Sequence, residues 1–545
     1  MKRFFAALAL GSCCIGGNAN AQVSPNAGAS LDTLFSQYLN DGPGAVLIVS
    51  RNGQQLFHKE FGYASLEHIV PVTNETVFEA ASVSKQFTAA AVLLLVRQGR
   101  ISLDDDIRKY VPELPDYGKK INLRMCLTHT SGLKDWRNVT YLSSLPTGLR
   151  LFNQEDAINM ICRQSNLNFK PGTRYSYTNA GFDLLGIVVE RVTKRSFASF
   201  VRDSLLIPAG MKHSAFRNKF EDIIPNMASA YYGSRTHLRH GYTTDETYGA
   251  AGLITCADDL RKWNEFINKG NLAQTRLQRY VLTSGDTISY AIGGVHVMDF
   301  DGIREISHSG LLSGYRALVL YYPQYDISVS YMTNNKNIIT ADLQVKIFEI
   351  LFGKKRKAAL PAVQTNYPDV TTLGNKTGAY FGIDDESEFY SFHITNNKLF
   401  CHEALLQPVG KNEFIYETTV YRFSPGGDTL IVRRGGEDTY FKKASGFKPD
   451  AAALKPFSGS FQSNDAIVEL TFEVRGNKLV AFRNSYDSVI LTPAYQRENQ
   501  IAFRGFDHGL RAIYLFTRSK KGAANDLMIN LPRANYIPFT RRKNK

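Results

Sequence analysis

The stretch Ala81-Ser82-Val83-Ser84-Lys85-Gln86-Phe87 places a hydroxyl and an amine three positions apart at the start of an apolar helical pattern. Three positions is just under one helical turn, so both side chains face the same way. A serine hydroxyl is a poor nucleophile at neutral pH, and a desolvated lysine one turn away can accept or relay its proton. The helix N-terminus also favours negative charge developing at Ser82. Alone, Ser-x-x-Lys is a weak signal, because a capping serine beside a solvated lysine accounts for it as well. Two further stretches sharpen it. Tyr175-Ser176-Tyr177-Thr178-Asn179 precedes an apolar helix, so Tyr177 and Asn179 present a phenol and a carboxamide on one edge of a loop. The phenol can move a proton between nucleophile and leaving group, and the amide can hold a substrate amide or carbonyl. Ile306-Ser307-His308-Ser309-Gly310 ends a strand pattern, where a hydroxyl and a glycine let a substrate backbone lie along the strand edge. The three motifs together, in this order, are far more specific than any one of them.

These residues need elements to hold them. Ala45 to Ser50 and Gln55 to Phe61, split by Arg51-Asn52-Gly53, read as a β-hairpin. The spacing of Phe87, Ala90, Ala91, Leu94 and Leu95 predicts a helix from about Ser82 to Gln98. Residues 100–250 are mostly helical in pattern, including Asn179 to Val192 and Ser196 to Ile207. Short strands follow at Ala291–Val297, Gly302–Ser307, Arg316–Tyr321 and Ile327–Met332, and Ile338 to Phe352 closes with a helix. Strands at both ends around a helical insertion predict an α/β sheet domain over residues 22–353. Residues 354–376 read as a linker, basic and then Pro- and Thr-containing. Beyond it the chain repeats. Thr377-Gly378-Ala379-Tyr380 parallels Ser458-Gly459-Ser460-Phe461, and Leu406-Gln407-Pro408 parallels Leu491-Thr492-Pro493. Two small β-barrels over 377–445 and 457–545 are predicted, a single larger sandwich being the alternative. A closed barrel needs no edge strand from its neighbour, so the catalytic domain is expected to fold and react without them.

Ser82-x-x-Lys85, Tyr177-x-Asn179 and His308-Ser309-Gly310 resemble the three signature motifs of the serine penicillin-recognising enzymes, in the subset that holds class C β-lactamases, D,D-peptidases, D-aminopeptidases and related esterases. Leu127-Thr128-His129-Thr130-Ser131-Gly132-Leu133, Leu103-Asp104-Asp105-Asp106 and Gly252-Leu253-Ile254-Thr255 resemble further recurrent segments of that group. The resemblance implies that Ser82 is acylated, that Lys85 is its proton partner, and that Tyr177 is the general base and acid. It implies that Asn179 contacts the substrate amide, and that His308, Ser309 and Gly310 line the edge meeting the substrate carboxylate or backbone. The backbone N–H groups of Ser82 and Leu311 would form the oxyanion hole, and neither a cofactor nor a metal is implied. One departure matters: His308 stands where strict β-lactamases of the group carry lysine, and a neutral imidazole is a weaker anchor for a β-lactam carboxylate. The layout of a catalytic domain and two barrels resembles the D-aminopeptidases, in which a loop of the last barrel reaches the active site. Gly505-Phe506-Asp507-His508-Gly509 is the candidate for such a loop, an ordinary surface hairpin being the plainer reading.

Composition sets outer bounds. The chain has 545 residues, 43% hydrophobic and 21% charged, and its longest internal apolar run, Ala89 to Val96, is far too short to span a bilayer. Lys2-Arg3, the apolar run from Phe4 through Ile15 and Ala19-Asn20-Ala21 read as a cleavable export signal over residues 1–21. The expected location is therefore periplasmic or secreted, with lipid attachment at Cys13 a lesser alternative. A formal net charge of +14 allows contact with an anionic polymer such as cell wall. No zinc-finger, helix-turn-helix or RNA-binding signature accompanies it, so nucleic acid is not an expected partner. Cys126, Cys162, Cys256 and Cys401 are too scattered to build a disulfide framework. The expected partners are a small peptide, amide or ester, with β-lactams as acylating ligands.

Overall fold

The computed structural model describes residues 24–542, apart from 144–150, 357–362, 384–387, 519–522 and a few single or paired positions. The proposed export signal and Cys13 lie outside the described residues.

An eight-stranded antiparallel sheet forms the frame of the first unit. The hairpin Ala45–Arg51 and Gln54–Phe61 turns on Asn52 and Gly53, with φ of 52° and 81°, the double left-handed conformation of a tight hairpin. Its first strand pairs with Ile327–Thr333, so the two ends of this unit meet one strand in from the sheet edge, with Ala45 opposite Thr333 and Arg51 opposite Ile327. The strands Ile303–Leu312 and Tyr315–Tyr322 continue outward. Ala45 to Val49 is continuously apolar because both faces are covered. Ala45, Leu47 and Val49 pack with Phe35, Ile347 and Phe348 from the helices Ala27–Leu39 and Thr340–Phe352. Val46 and Ile48 belong to the opposite cluster, with Phe87 and Trp263. Strand alternation therefore assigns each side chain to a layer.

Two sequence expectations are corrected here. The strand expected at Ala291–Val297 is instead the end of Thr287–Ala291, a turn, and the start of Val295–Phe300. The turn is set by close approach: a Cβ on Gly294 would lie 2.7 Å from the Lys85 carbonyl oxygen, and one on Gly293 2.6 Å from Arg276. The helix expected from Ser82 begins as a separate 3-10 turn, Ala81–Val83, before the α-helix Ser84–Arg97.

Residues 378–444 curl into one antiparallel barrel-like sheet and residues 459–541 into a closed barrel. In each, the first strand pairs with the last: Gly378–Gly382 with Glu437–Ala444, and Gly459–Ser463 with Ala534–Arg541. The linker end already belongs to the first barrel, since the Tyr367 hydroxyl donates to the carbonyls of Leu399 and Leu406 at 3.2 and 2.9 Å. The barrels meet through stacked Phe381 and Tyr495, ring centroids 4.9 Å apart. The second barrel is also bonded to the first unit. Ser165 donates from both N and Oγ to Asp465, each at 2.9 Å, and the Gln164 side chain donates to the Asp465 carbonyl at 3.1 Å. One buried apolar cluster holds Leu127 and Trp136 together with Leu531, Ala534 and Ile537. The first unit thus shares a core with the second barrel: barrel closure removes sheet edges but leaves barrel flanks free to pack on a neighbour.

Candidate active site

Ser82 sits in the 3-10 turn Ala81–Val83. Ala81 before it adopts the left-handed region, with φ of 49°. Such a conformation at a residue with a Cβ costs about 1–3 kcal/mol and persists only where neighbours impose it. The neighbours are identifiable. The Ser84 hydroxyl donates to the Ala81 carbonyl at 2.6 Å and accepts from the Leu253 N–H at 3.1 Å. The Ala80 N–H donates to the Leu253 carbonyl at 2.9 Å. From the other side the strand Ile303–Leu312 presses in at Gly310, where a Cβ would fall 2.1 Å from the Ala80 carbonyl oxygen. Only glycine permits that approach.

Lys85, on the first turn of the helix, is fully buried. Its ammonium donates to Ser82 Oγ at 3.2 Å, to Asn179 Oδ1 at 2.9 Å and to the Ala250 carbonyl at 2.9 Å. Burial lowers its pKa from the usual lysine range to about 7, although the carboxylates of Asp183 and Asp135 pull it upward. The Tyr177 hydroxyl faces the Ser82 side chain, whose proximity acts to lower the phenol's pKa. Burial raises the phenol's pKa above its ordinary value, so it stays protonated through neutral pH. Ser82, Lys85, Tyr177 and Asn179 are thus brought together from two segments about 90 residues apart in the chain.

A further set of residues holds this cluster, and the sequence motifs did not reveal them. Asp135 Oδ2 accepts from the Asn179 N–H at 3.1 Å and from its side-chain amide at 2.9 Å, which turns the amide oxygen toward Lys85. Asp183, buried beneath, accepts from Trp136 Nε1 at 2.7 Å and from the Ala250 N–H at 3.0 Å. His129 is a structural hydrogen-bonder: its Nδ1 accepts from the Thr178 N–H at 3.2 Å, and its ring lies 4.2 Å from that of Tyr177. Asp135 lies just beyond the Leu127–Leu133 segment already singled out, but a lone aspartate there carries no pattern.

The third motif divides. Ser309 is exposed and Leu311 is 65% exposed, both flanking the close approach at Gly310. His308 is buried, with Nδ1 2.7 Å from the Ser309 carbonyl and Nε2 3.0 Å from the Tyr290 hydroxyl. An Nδ1–H donating to the carbonyl, with Nε2 accepting from the phenol, satisfies both. Burial lowers its pKa to about 3, so the imidazole is neutral. With both nitrogens engaged and no charge, His308 forms part of the floor and has no free hydrogen-bonding group for an anion.

The second barrel reaches the site through the hairpin that carries Arg533. The Asp507 side chain, His508 and Gly509 lie outside the described residues. Arg533, in the turn between the strands Ala524–Leu531 and Ala534–Arg541, brings its guanidinium carbon to 4.9 Å from the Tyr177 ring centroid. Lys85 Nζ is also 4.9 Å from that centroid. The turn is pinned by its main chain: the Arg533 carbonyl accepts from the Asp135 N–H at 2.9 Å and from the Asn168 amide at 3.0 Å. Asn168 Oδ1 accepts in return from the Asn535 N–H at 2.8 Å.

Comparison with known proteins places this geometry. The Beta-lactamase family model matches residues 31–346. Penicillin-binding protein 4* of Bacillus subtilis is 26% identical over 375 residues, covering 62% of this chain and 82% of that protein. Among solved structures, the octameric penicillin-binding protein homologue from Pyrococcus abyssi is 18% identical with a TM-score of 0.52, covering 94% of this chain and 98% of that one. The D-stereospecific amidohydrolase from a Streptomyces species is 20% identical with a TM-score of 0.50, covering 60% and 97%. With the family match extending over more than half of the chain and enclosing Ser82, Lys85, Tyr177 and the 308–310 strand, the protein belongs to the Beta-lactamase family and is a serine hydrolase.

Proposed function

We propose that the chain is an exported hydrolase that acylates Ser82 and cleaves amide bonds in peptides or amides containing D-amino acids. The observation that carries this reading is the buried Lys85 amine, hydrogen-bonded to Ser82 Oγ and shifted to about pH 7. A lysine at that pKa is partly neutral at physiological pH and can accept the serine proton. Ser82 Oγ attacks the carbonyl carbon as its proton passes to Lys85 Nζ. The oxyanion forms beside the N–H groups of Ser82 and Leu311, where one good donor contributes roughly 3–4 kcal/mol. Collapse breaks the C–N bond, and the leaving nitrogen takes a proton from the Tyr177 hydroxyl, which is replenished from Lys85. Water then repeats the sequence on the acyl-enzyme. Asn179, oriented by Asp135, holds the acyl-side amide. The D-stereospecific amidohydrolase among the structural neighbours is consistent with the D-amino-acid reading, and the apolar stretch ending at Ala19-Asn20-Ala21 with export.

The test is a hydrolysis panel of D-aminoacyl amides, D-Ala-D-Ala peptides, nitrocefin and p-nitrophenyl esters, run beside a fluorescent phosphonate that labels the nucleophile. Ser82→Ala should lose labelling and all turnover while keeping its far-UV spectrum. Retention of more than a few per cent of activity would falsify the acyl-enzyme reading.

A further inference from the structure

We propose that Arg533, carried by the second barrel, is the anion-reading residue of this active site, and that the preferred substrate bears a carboxylate on its leaving-group half. The inference rests on the acyl-enzyme reading above and adds the charge of the substrate.

Four observations lead to it. First, the motif expected to meet a substrate carboxylate supplies no cation, since His308 is buried, neutral and saturated with hydrogen bonds. Lys85 is buried and committed to Ser82, Asn179 and Ala250. Second, the Arg533 side chain is exposed and makes no ion pair with any described residue. A guanidinium lying on an aromatic ring retains its outer N–H edge, and that edge matches a carboxylate in two-point geometry. Third, the position is built rather than incidental. Arg533 holds φ of 71°, its carbonyl takes two hydrogen bonds from the first unit, and Asn138 bonds the adjacent Pro532 carbonyl. A turn fixed by its main chain aims a side chain without depending on that side chain. Fourth, the ring beneath the guanidinium is Tyr177, the residue that hands a proton to the leaving group in the proposed mechanism. A cation stacked there lies beside the departing half of the substrate.

The experiment uses the full chain and two matched substrates, N-acetyl-D-alanyl-D-alanine and its C-terminal carboxamide. The readout is the ratio of kcat/KM for acid over amide. Wild type should favour the acid, with a preference that falls as salt rises. Arg533→Gln should reduce the ratio by on the order of 10- to 100-fold, the range expected when one charge-assisted contact is lost. Arg533→Lys should restore part of it, because the charge returns without the fork. The main-chain bonds of the turn survive both changes, and phosphonate labelling of Ser82 checks that the site is intact. An unchanged ratio in Arg533→Gln, or a wild type that favours the amide, would overturn the proposal while leaving Ser82 labelling, and with it the acyl-enzyme reading, in place. Failure of Ser82 to label in wild type would overturn the acyl-enzyme reading instead.

Discussion

Lys85 touches three oxygens and carries the largest mechanistic burden of any side chain in the site. Its amine must be neutral to accept the Ser82 proton, so activity should rise with pH as the ammonium loses its proton. Because burial brings that pKa to about 7, kcat/KM should show an ascending limb centred near pH 7. Asp183, whose own carboxyl pKa burial raises to about 7, opposes the shift when ionised by stabilising the ammonium, so the two groups titrate as a pair. Removing that charge in Asp183→Asn should therefore move the limb to lower pH, at a stability cost of about 1–3 kcal/mol, since the amide cannot accept from both Trp136 and the Ala250 N–H. A limb that stayed in place, or moved to higher pH, would contradict this account of the lysine. The cluster of Ser82, Lys85, Tyr177 and Asn179 was legible in the sequence because spacing within a motif places each pair together. Asp135 and Asp183 were not, because each acts through a backbone amide or a distant side chain, and such partnerships leave no local pattern.

Elements meet in this site at unusually short range. The turn holding Ser82 is wedged between Leu253 and the strand Ile303–Leu312, with Gly310 as the point of closest approach. Gly310→Ala should force the strand and turn apart by the width of a methyl group. A destabilisation of about 1–3 kcal/mol is expected, seen as a lower Tm, together with a loss of turnover larger than the loss of stability explains. A variant of normal activity would show that the strand position is not critical. Periodicity read the helices and most strands well. It failed at Ala291–Val297, where the apolar residues on both sides of Gly293-Gly294 were read as one strand; the glycine pair forms a turn that packs against the backbone of Lys85. It also ran the α-helix through Ser82, since the strain at Ala81 is imposed by tertiary contacts that no window of residues contains.

At the scale of the whole molecule, the repeat near 80 residues revealed two barrels but not their attachment, because flank-to-flank packing uses scattered residues such as Asp465, Arg533 and Asn535. The attachment makes a prediction. Ending the chain before residue 455 removes the acceptor of the Asp135 N–H, strips part of a shared core and frees the loop that orients Asn179. Such a fragment should label Ser82 at least ten-fold more slowly than the full chain; equal labelling rates would show that the barrel is dispensable to the chemistry. Asn138 and Pro532, which bond each other, stand 394 positions apart. Contacts of that separation form late, after the loops they close have been paid for in entropy. Ribosomes deliver the chain from its N-terminus, so Ser82 and Lys85 emerge long before the turn that completes their surroundings. A nascent or prematurely terminated polypeptide would then carry a Ser82 that reacts slowly, and full reactivity would arrive only with the hairpin that carries Arg533, making the second barrel a timer of the chemistry.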